Sequence, residues 1–263
     1  MPASETFRAS AEAYDRFVGR YGSSLSAALI DFAGIKPGMR ALDVGSGPGA
    51  LTGALVERLG AENVNAADPS EPFAEACRER FPGVEVAVAS AEALPYGDHT
   101  FDAALSQLVV NFMEDAEAGV GEMARVTRPG GVVAAAVWDY GGAMTLLRAF
   151  WDAAREIDPE GGAAADESAI MRWCGDGDLA RLWEQVGLSD VRSGSLTARA
   201  SYDDFEDLWW PLPTGVGPAG AYTKSLDDER RGALHDAFRR RLGVGDEPFE
   251  LTARAWAAAG AVR

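Results

Sequence analysis

Histidine and cysteine are both scarce in this chain: His99, His235, Cys77 and Cys174 are the whole supply among 263 residues. They do not have the spacing of a structural zinc site, so no metal is expected. A reducing compartment suits such a chain, although two cysteines can in principle pair. Basic residues are also in short supply, with 24 Lys and Arg against 41 Asp and Glu and a formal charge of −17. Binding a phosphate backbone needs clustered Lys and Arg, and an anionic membrane surface attracts the same groups, so neither is expected as a partner. No apolar run approaches the ~20 residues that span a bilayer. The first residues, with Glu5, Arg8 and Glu12 among them, lack the apolar core of a signal peptide. These absences lead to the expectation of a soluble, cytoplasmic protein, monomeric or homodimeric.

What is present is a globular composition. Hydrophobic residues make up 47% of the chain and glycine occurs 30 times, which suits one large α/β domain with or without a subdomain. The chain is organised around Ala41-Leu-Asp-Val-Gly-Ser-Gly-Pro-Gly-Ala-Leu-Thr52. A short apolar run, three alternating glycines and a helix-forming segment read as a buried strand, a tight turn and a helix N-terminus. Glycine permits φ > 0 and leaves no Cβ between backbone and ligand, and N–H groups at the helix start can serve an anion or carboxylate. A carboxylate at the end of a buried strand is costly unless satisfied, so Asp43 is read as facing a cationic ligand group or turn amides. The same glycines also fit a loose dinucleotide fingerprint, Gly45-x-Gly47-x-x-Ala50.

Around this stretch the chain alternates strands and helices, the pattern of a parallel sheet with right-handed crossovers. Residues 1–36 read as an amphipathic helical segment, a candidate lid over the site. Expected strands follow at Asn63–Asp68, Val84–Val88, Phe101–Val110 and Val132–Trp138, with a small-residue loop at Gly161–Ala165. Asp68 stands 19 positions beyond Gly49, where doubly wound folds place an acid that accepts from both ribose hydroxyls. Asp68-Pro69-Ser70 is at the same time a good turn and helix cap.

Four motifs in order, Leu42-Asp-Val-Gly-Ser-Gly-Pro-Gly49, Ala67-Asp-Pro-Ser70, Ser90-Ala-Glu-Ala-Leu-Pro-Tyr96 with Phe101-Asp102, and Arg125-Val-Thr-Arg-Pro-Gly-Gly131, resemble those of class I S-adenosylmethionine-dependent methyltransferases. The resemblance is to the ubiquinone/menaquinone-methyltransferase-like (type 11) group and covers about residues 38–138. It implies a Rossmann-like, seven-stranded, mostly parallel sheet with an antiparallel last strand and a helical cover. It further implies S-adenosyl-L-methionine as cofactor, with S-adenosyl-L-homocysteine as product. By position, the backbone of Gly45, Ser46, Gly47 and Gly49 cradles the methionine part, with Asp43 near its ammonium or ordering the loop. Asp68, followed by Pro69, holds the ribose, with Ser70 capping the next helix. Ser90, Ala91 and Glu92 line the adenine, and Gln107 approaches the methionine and sulfonium. Tyr14 and Arg20 belong to the lid. A nicotinamide enzyme would share the glycine loop and the ribose acid, but gives no reason for the Ser90–Pro95 turn followed by a Pro-Gly-Gly strand entry.

Methyl transfer is a displacement at a carbon already activated by the sulfonium, so alignment matters more than a protein nucleophile. A general base is needed only if the acceptor must lose a proton, and no catalytic histidine stands out. His99 lies in a polar turn and His235 in a charged helical run. Gln107, Asp139 and Tyr140, at carboxyl ends of strands, are the catalytic candidates. Residues 37–263 are expected to form the core, with 203–245 as a helical insertion that helps to cover the acceptor. Trp209, Trp210 and Tyr222 in that insertion suggest a small, largely apolar or aromatic acceptor. Two other readings remain: a cofactor-binding enzyme of rearrangement or cyclisation, and a non-catalytic cofactor-binding partner subunit.

Overall fold

The computed structural model describes residues 16–263. After a 3₁₀ turn at Val18–Tyr21 come helix α1 (Gly22–Ala33), strand β1 (Ala41–Val44), α2 (Ala50–Leu59), β2 (Val64–Asp68), α3 (Glu71–Arg80), β3 (Glu85–Val88) and β4 (Phe101–Gln107). They are followed by α4 (Ala116–Val126), β5 (Thr127–Trp138), α5 (Thr145–Ile157), α6 (Pro159–Ala165), α7 (Asp178–Val186) and β6 (Ser189–Tyr202). The order closes with α8 (Phe205–Trp209), α9 (Gly217–Ser225), α10 (Asp228–Leu242) and β7 (Phe249–Ala261). The seven strands form one sheet in the order β3-β2-β1-β4-β5-β7-β6. Pairings from β3 through β5 are parallel, and β7 runs antiparallel to β5. This is the expected doubly wound sheet with its antiparallel last strand. No helix among the described residues is long and apolar enough to cross a membrane.

The chain divides into two compact units. The sheet unit comprises residues 22–138, 172–197 and 255–263; the helical unit takes residues up to 21 with 139–171 and 198–254.

In the sheet unit β1 and β2 are buried at every residue, as parallel strands covered on both faces must be. Leu42, Val44, Phe101, Met123, Val133, Val137 and Trp183 share its core. The middle of β5 is instead a run of alanines, and Ala134, Ala135 and Ala136 pair with Ala259, Ala258 and Ala257 of β7. Alanine is a poor strand former in isolation, but strand preference is largely a matter of fit to neighbours. Here small residues leave room for large ones: Trp183 on α7 is fully buried and its indole N–H donates to the Val133 carbonyl at 2.8 Å. Trp183→Phe keeps most of the volume and removes this bond, so urea denaturation is expected to show a loss of about 1–3 kcal/mol.

Three local features differ from the sequence expectation. Strand β5 starts at Thr127, because Gly130 N–H donates to Val262 O (2.8 Å) and Val262 N–H to Gly131 O (3.0 Å), so Pro-Gly-Gly joins the pairing with the end of β7 instead of turning away. The small-residue loop is helix α6: Asp158 accepts from Gly161 N–H at 3.0 Å and Pro159 occupies the first turn, start signals strong enough for a short helix. Strand β4 ends at Gln107 rather than Val110, because Leu108 adopts φ 65°.

In the helical unit α5 buries Leu146, Leu147, Phe150 and Trp151. Phe150 meets Trp151, Tyr222 and Phe238 edge-on, with centroids 4.9, 6.4 and 5.6 Å away.

Candidate functional site

The three loop glycines all have φ in the left-handed region, 75° at Gly45, 53° at Gly47 and 101° at Gly49. Their surroundings differ. A Cβ at Gly45 would stand 2.5 Å from the Val109 side chain, and one at Gly49 2.5 Å from Phe81, whereas at Gly47 nothing lies within 4 Å. The outer glycines are therefore fixed by packing, and the middle one borders open space. The loop's own amides are spoken for: Gly45 and Ser46 N–H donate to Ala67 O at 2.8 and 3.1 Å, and Gly49 N–H to Ser46 O at 3.0 Å. Gly47 N–H donates to Asp68 Oδ2 at 2.8 Å. Donors left for a ligand belong to the first turn of α2, where a helix cannot satisfy them itself. Ser46 is buried.

Asp68 ends β2 and is itself buried. Its Oδ1 accepts the Ser70 N–H at 2.8 Å, so the aspartate, not the serine, organises the turn. Ser70 occupies the cap position of α3 without a side-chain cap bond, contrary to the expectation for it. Pro69 between them is exposed. Burial pushes the Asp68 carboxyl upward, against the two backbone hydrogen bonds.

Asp43 is wholly buried at the end of β1. Oδ2 accepts the Thr52 hydroxyl at 2.6 Å, while Oδ1 has no hydrogen-bond partner. Burial is the main cause that raises its pKa from 3.8 to about 7; hydrogen bonding from the Thr52 side chain and backbone opposes this and the charge of Asp68 adds to it. A buried carboxylate oxygen without a donor is expensive.

The Ser90–Tyr96 turn is held from α4. Glu122 accepts the Leu94 N–H at 3.0 Å, and Arg125 donates to Leu94 O at 3.1 Å and Tyr96 O at 2.9 Å. The third and fourth sequence motifs thus form one physical unit, with Glu122 the member that motif reading passed over. Within the turn, Ser90 Oγ donates to the Glu92 carboxylate, Glu92 also accepts the Glu114 N–H at 3.0 Å, and Ala91 packs into the core. Gln107 closes β4 and is 9% exposed. Its Oε1 is 3.0 Å from the Ser26 hydroxyl on α1, a partner invisible at a separation of 81 residues. Asp43, the glycine loop, Asp68, Ser90–Glu92 and Gln107 all fall in the sheet unit.

The other candidates belong to the helical unit, except Tyr14, which lies outside the described residues. Arg20 donates to Arg16 O (3.0 Å) and Ser201 O (2.9 Å), pairs with Asp207, and lies 4.9 Å from the Tyr202 ring centre. Asp139 is engaged by Arg254, at 2.9 and 2.6 Å, and by Ala143 N–H at 2.9 Å, a turn-closing role. Tyr140 is buried, and its carbonyl accepts from Arg148 at 3.3 Å. Tyr222 packs among Phe150 and Trp151. Trp209 meets His235 edge-on at 5.1 Å, and His235 binds Glu206 at 2.8 Å. Trp210 is 44% exposed and, with Glu206, Trp209, Pro213 and Thr214, lines an open depression of about 420 Å³. His99 is exposed, its Nδ1 3.1 Å from Thr127 O. Among the described residues no group of His, Cys, Asp and Glu could hold a metal ion.

Residues 42–135 match the family model described as "Methyltransferase domain". An uncharacterized protein of Mycobacterium tuberculosis is 30% identical over 200 residues, spanning 70% of this chain and 68% of that one. A ubiquinone/menaquinone biosynthesis C-methyltransferase of Cupriavidus metallidurans is 30% identical over 181 residues, 63% of this chain and 74% of the relative. In fold, the chain is similar to the geranyl diphosphate C-methyltransferase of Streptomyces coelicolor, with TM-score 0.52 and 16% identity over 91% of this chain and 79% of that one. The chain belongs to the class I S-adenosylmethionine-dependent methyltransferases, in the family defined by this methyltransferase domain.

Proposed function

We propose that the sheet unit holds S-adenosylmethionine along the loop from Asp43 to Gly49 and that the enzyme transfers the methyl group to a small, largely apolar or aromatic acceptor. One observation carries the cofactor placement: a buried carboxylate oxygen on Asp43 without a donor stands at the start of a loop whose middle glycine faces open space. The methionine part of the cofactor supplies an ammonium group for that oxygen and a carboxylate for N–H donors in the first turn of α2. Asp68 accepts from the ribose hydroxyls through lone pairs not used by Gly47 and Ser70. Ser90, Ala91 and Glu92 border the adenine, and Gln107 borders the methionine.

When bound, the cofactor supplies a carbon already activated for displacement, and no protein nucleophile is required. The chain's own residues bind and orient it, and alignment of the reactants is worth on the order of 7–11 kcal/mol. Asp139 is occupied by its ion pair with Arg254 and is assigned to the turn rather than to proton transfer. For the acceptor, the exposed indole of Trp210 beside Trp209 and Pro213 supports an apolar or aromatic partner. The relative of Cupriavidus metallidurans that acts in ubiquinone/menaquinone biosynthesis is consistent with that chemistry. Domain limits of 1–36, 37–263 and 203–245 remain part of this proposal, with the last segment as the acceptor-binding insertion.

The test is calorimetric titration with S-adenosylmethionine, S-adenosylhomocysteine and NADH. Binding of the first two and not the third is expected. The protein with S-adenosylmethionine is then offered quinol and other aromatic acceptors, and a product heavier by one methyl substitution is the supporting result. Absence of binding to the first two compounds would overturn the cofactor placement.

A further inference from the structure

Serine in the interior of a helix is mildly unfavourable, because its hydroxyl competes for backbone groups. Ser26 is nonetheless wholly buried in α1. Its Oγ lies 2.7 Å from Gly22 O, the carbonyl one turn earlier, and 3.0 Å from Gln107 Oε1. A hydroxyl carries one proton, so it cannot donate to both acceptors at once. The Gln107 amide nitrogen, 3.5 Å from Gly22 O, can serve that carbonyl when the hydroxyl proton goes to Oε1. The backbone beneath is equally constrained: Leu108, in the left-handed region, donates to Ala136 O at 2.7 Å. Non-glycine residues held in such conformations persist only where their surroundings over-determine them.

We infer that Ser26 is a positioning residue: its hydroxyl holds Gln107 Oε1 and so fixes the amide plane, with one N–H on Gly22 O and the other left for the methionine end of the cofactor. The inference rests on the reading of Gln107 as a cofactor contact. Ser26 touches no reacting atom and acts only through Gln107.

Calorimetric affinities for S-adenosylmethionine and S-adenosylhomocysteine, with melting temperatures, test this on Ser26→Ala, Ser26→Thr, Gln107→Ala and the Ser26→Ala/Gln107→Ala double variant. Ser26→Ala is expected to weaken both ligands about three- to tenfold. Ser26→Thr keeps the hydroxyl and is expected to retain wild-type affinity, even where its extra methyl lowers the melting temperature. The double variant is expected to bind as Gln107→Ala does, because the serine has nothing left to orient. If Gln107→Ala weakens binding and Ser26→Ala lowers only the melting temperature, Ser26 merely bonds its own helix and the inference fails. It fails too if Ser26→Ala weakens binding equally with and without Gln107. If Gln107→Ala itself binds normally, the cofactor role of Gln107 is what falls.

Discussion

Asp68→Ala is expected to weaken S-adenosylmethionine binding at least a hundredfold. Two hydrogen bonds from ribose hydroxyls to a carboxylate, at about 1.5–3 kcal/mol each, set that scale. The same side chain also accepts from Gly47 N–H and Ser70 N–H, so the variant disturbs the loop as well as the sugar contact. A ligand lacking both ribose hydroxyls separates the two effects. Wild type should prefer S-adenosylhomocysteine strongly over its 2′,3′-dideoxy analogue, and Asp68→Ala should lose that preference. Equal losses for both ligands would mean that Asp68 orders the loop and does not read the ribose.

Asp43→Asn should change stability with an unusual sign. Burial, opposed by the Thr52 bond and aided by Asp68, raises the folded carboxyl from 3.8 to about 7. The folded state thus binds the proton more tightly than the unfolded one. The stability this group contributes is full below pH 3.8 and is lost as pH rises through about 7. Above that pH the cofactor-free protein carries a buried charge, which Asp43→Asn removes. Chemical denaturation should find the variant more stable than wild type by on the order of 2 kcal/mol at pH 8, with little difference at pH 4. Binding should move oppositely. Wild-type affinity for the cationic cofactor should climb between about pH 5.5 and 7.5, as ionisation of Asp43 is completed. In Asp43→Asn affinity should be lower and flat over that range. A stability difference independent of pH would show that Asp43 does not titrate as its burial implies.

The sheet and the glycine loop were legible because they rest on local signals. Gly45, Gly47 and Gly49 occupy the positive-φ turn that their spacing announces, and Asp68 ends β2 where the crossover length places it. What escaped depends on contacts between distant residues. Asp139 read as a catalytic candidate because its partner Arg254 lies 115 residues on. The Ser26–Gln107 contact joins a helix to a strand that sequence order keeps apart. Each compact unit is likewise assembled from three separate stretches. Ser70 shows the opposite error: a good capping residue by type is passed over because the neighbouring aspartate takes its N–H.

The ends of β6 and β7 hold one more implication. Tyr202 closes β6 and Phe249 opens β7, and their rings stack with centroids 5.3 Å apart. Residues 203–248 therefore leave and re-enter the fold at a single clasp, the geometry at which foreign segments are most readily spliced. Simple excision would strip Phe238 from Phe150 and leave the apolar face of α5 bare. Exchange of 203–248 for the matching stretch of a relative, together with residues 145–165, preserves that face. Such a cassette can be exchanged with the glycine loop and its aspartates untouched, which gives a direct route to testing the acceptor role proposed for it.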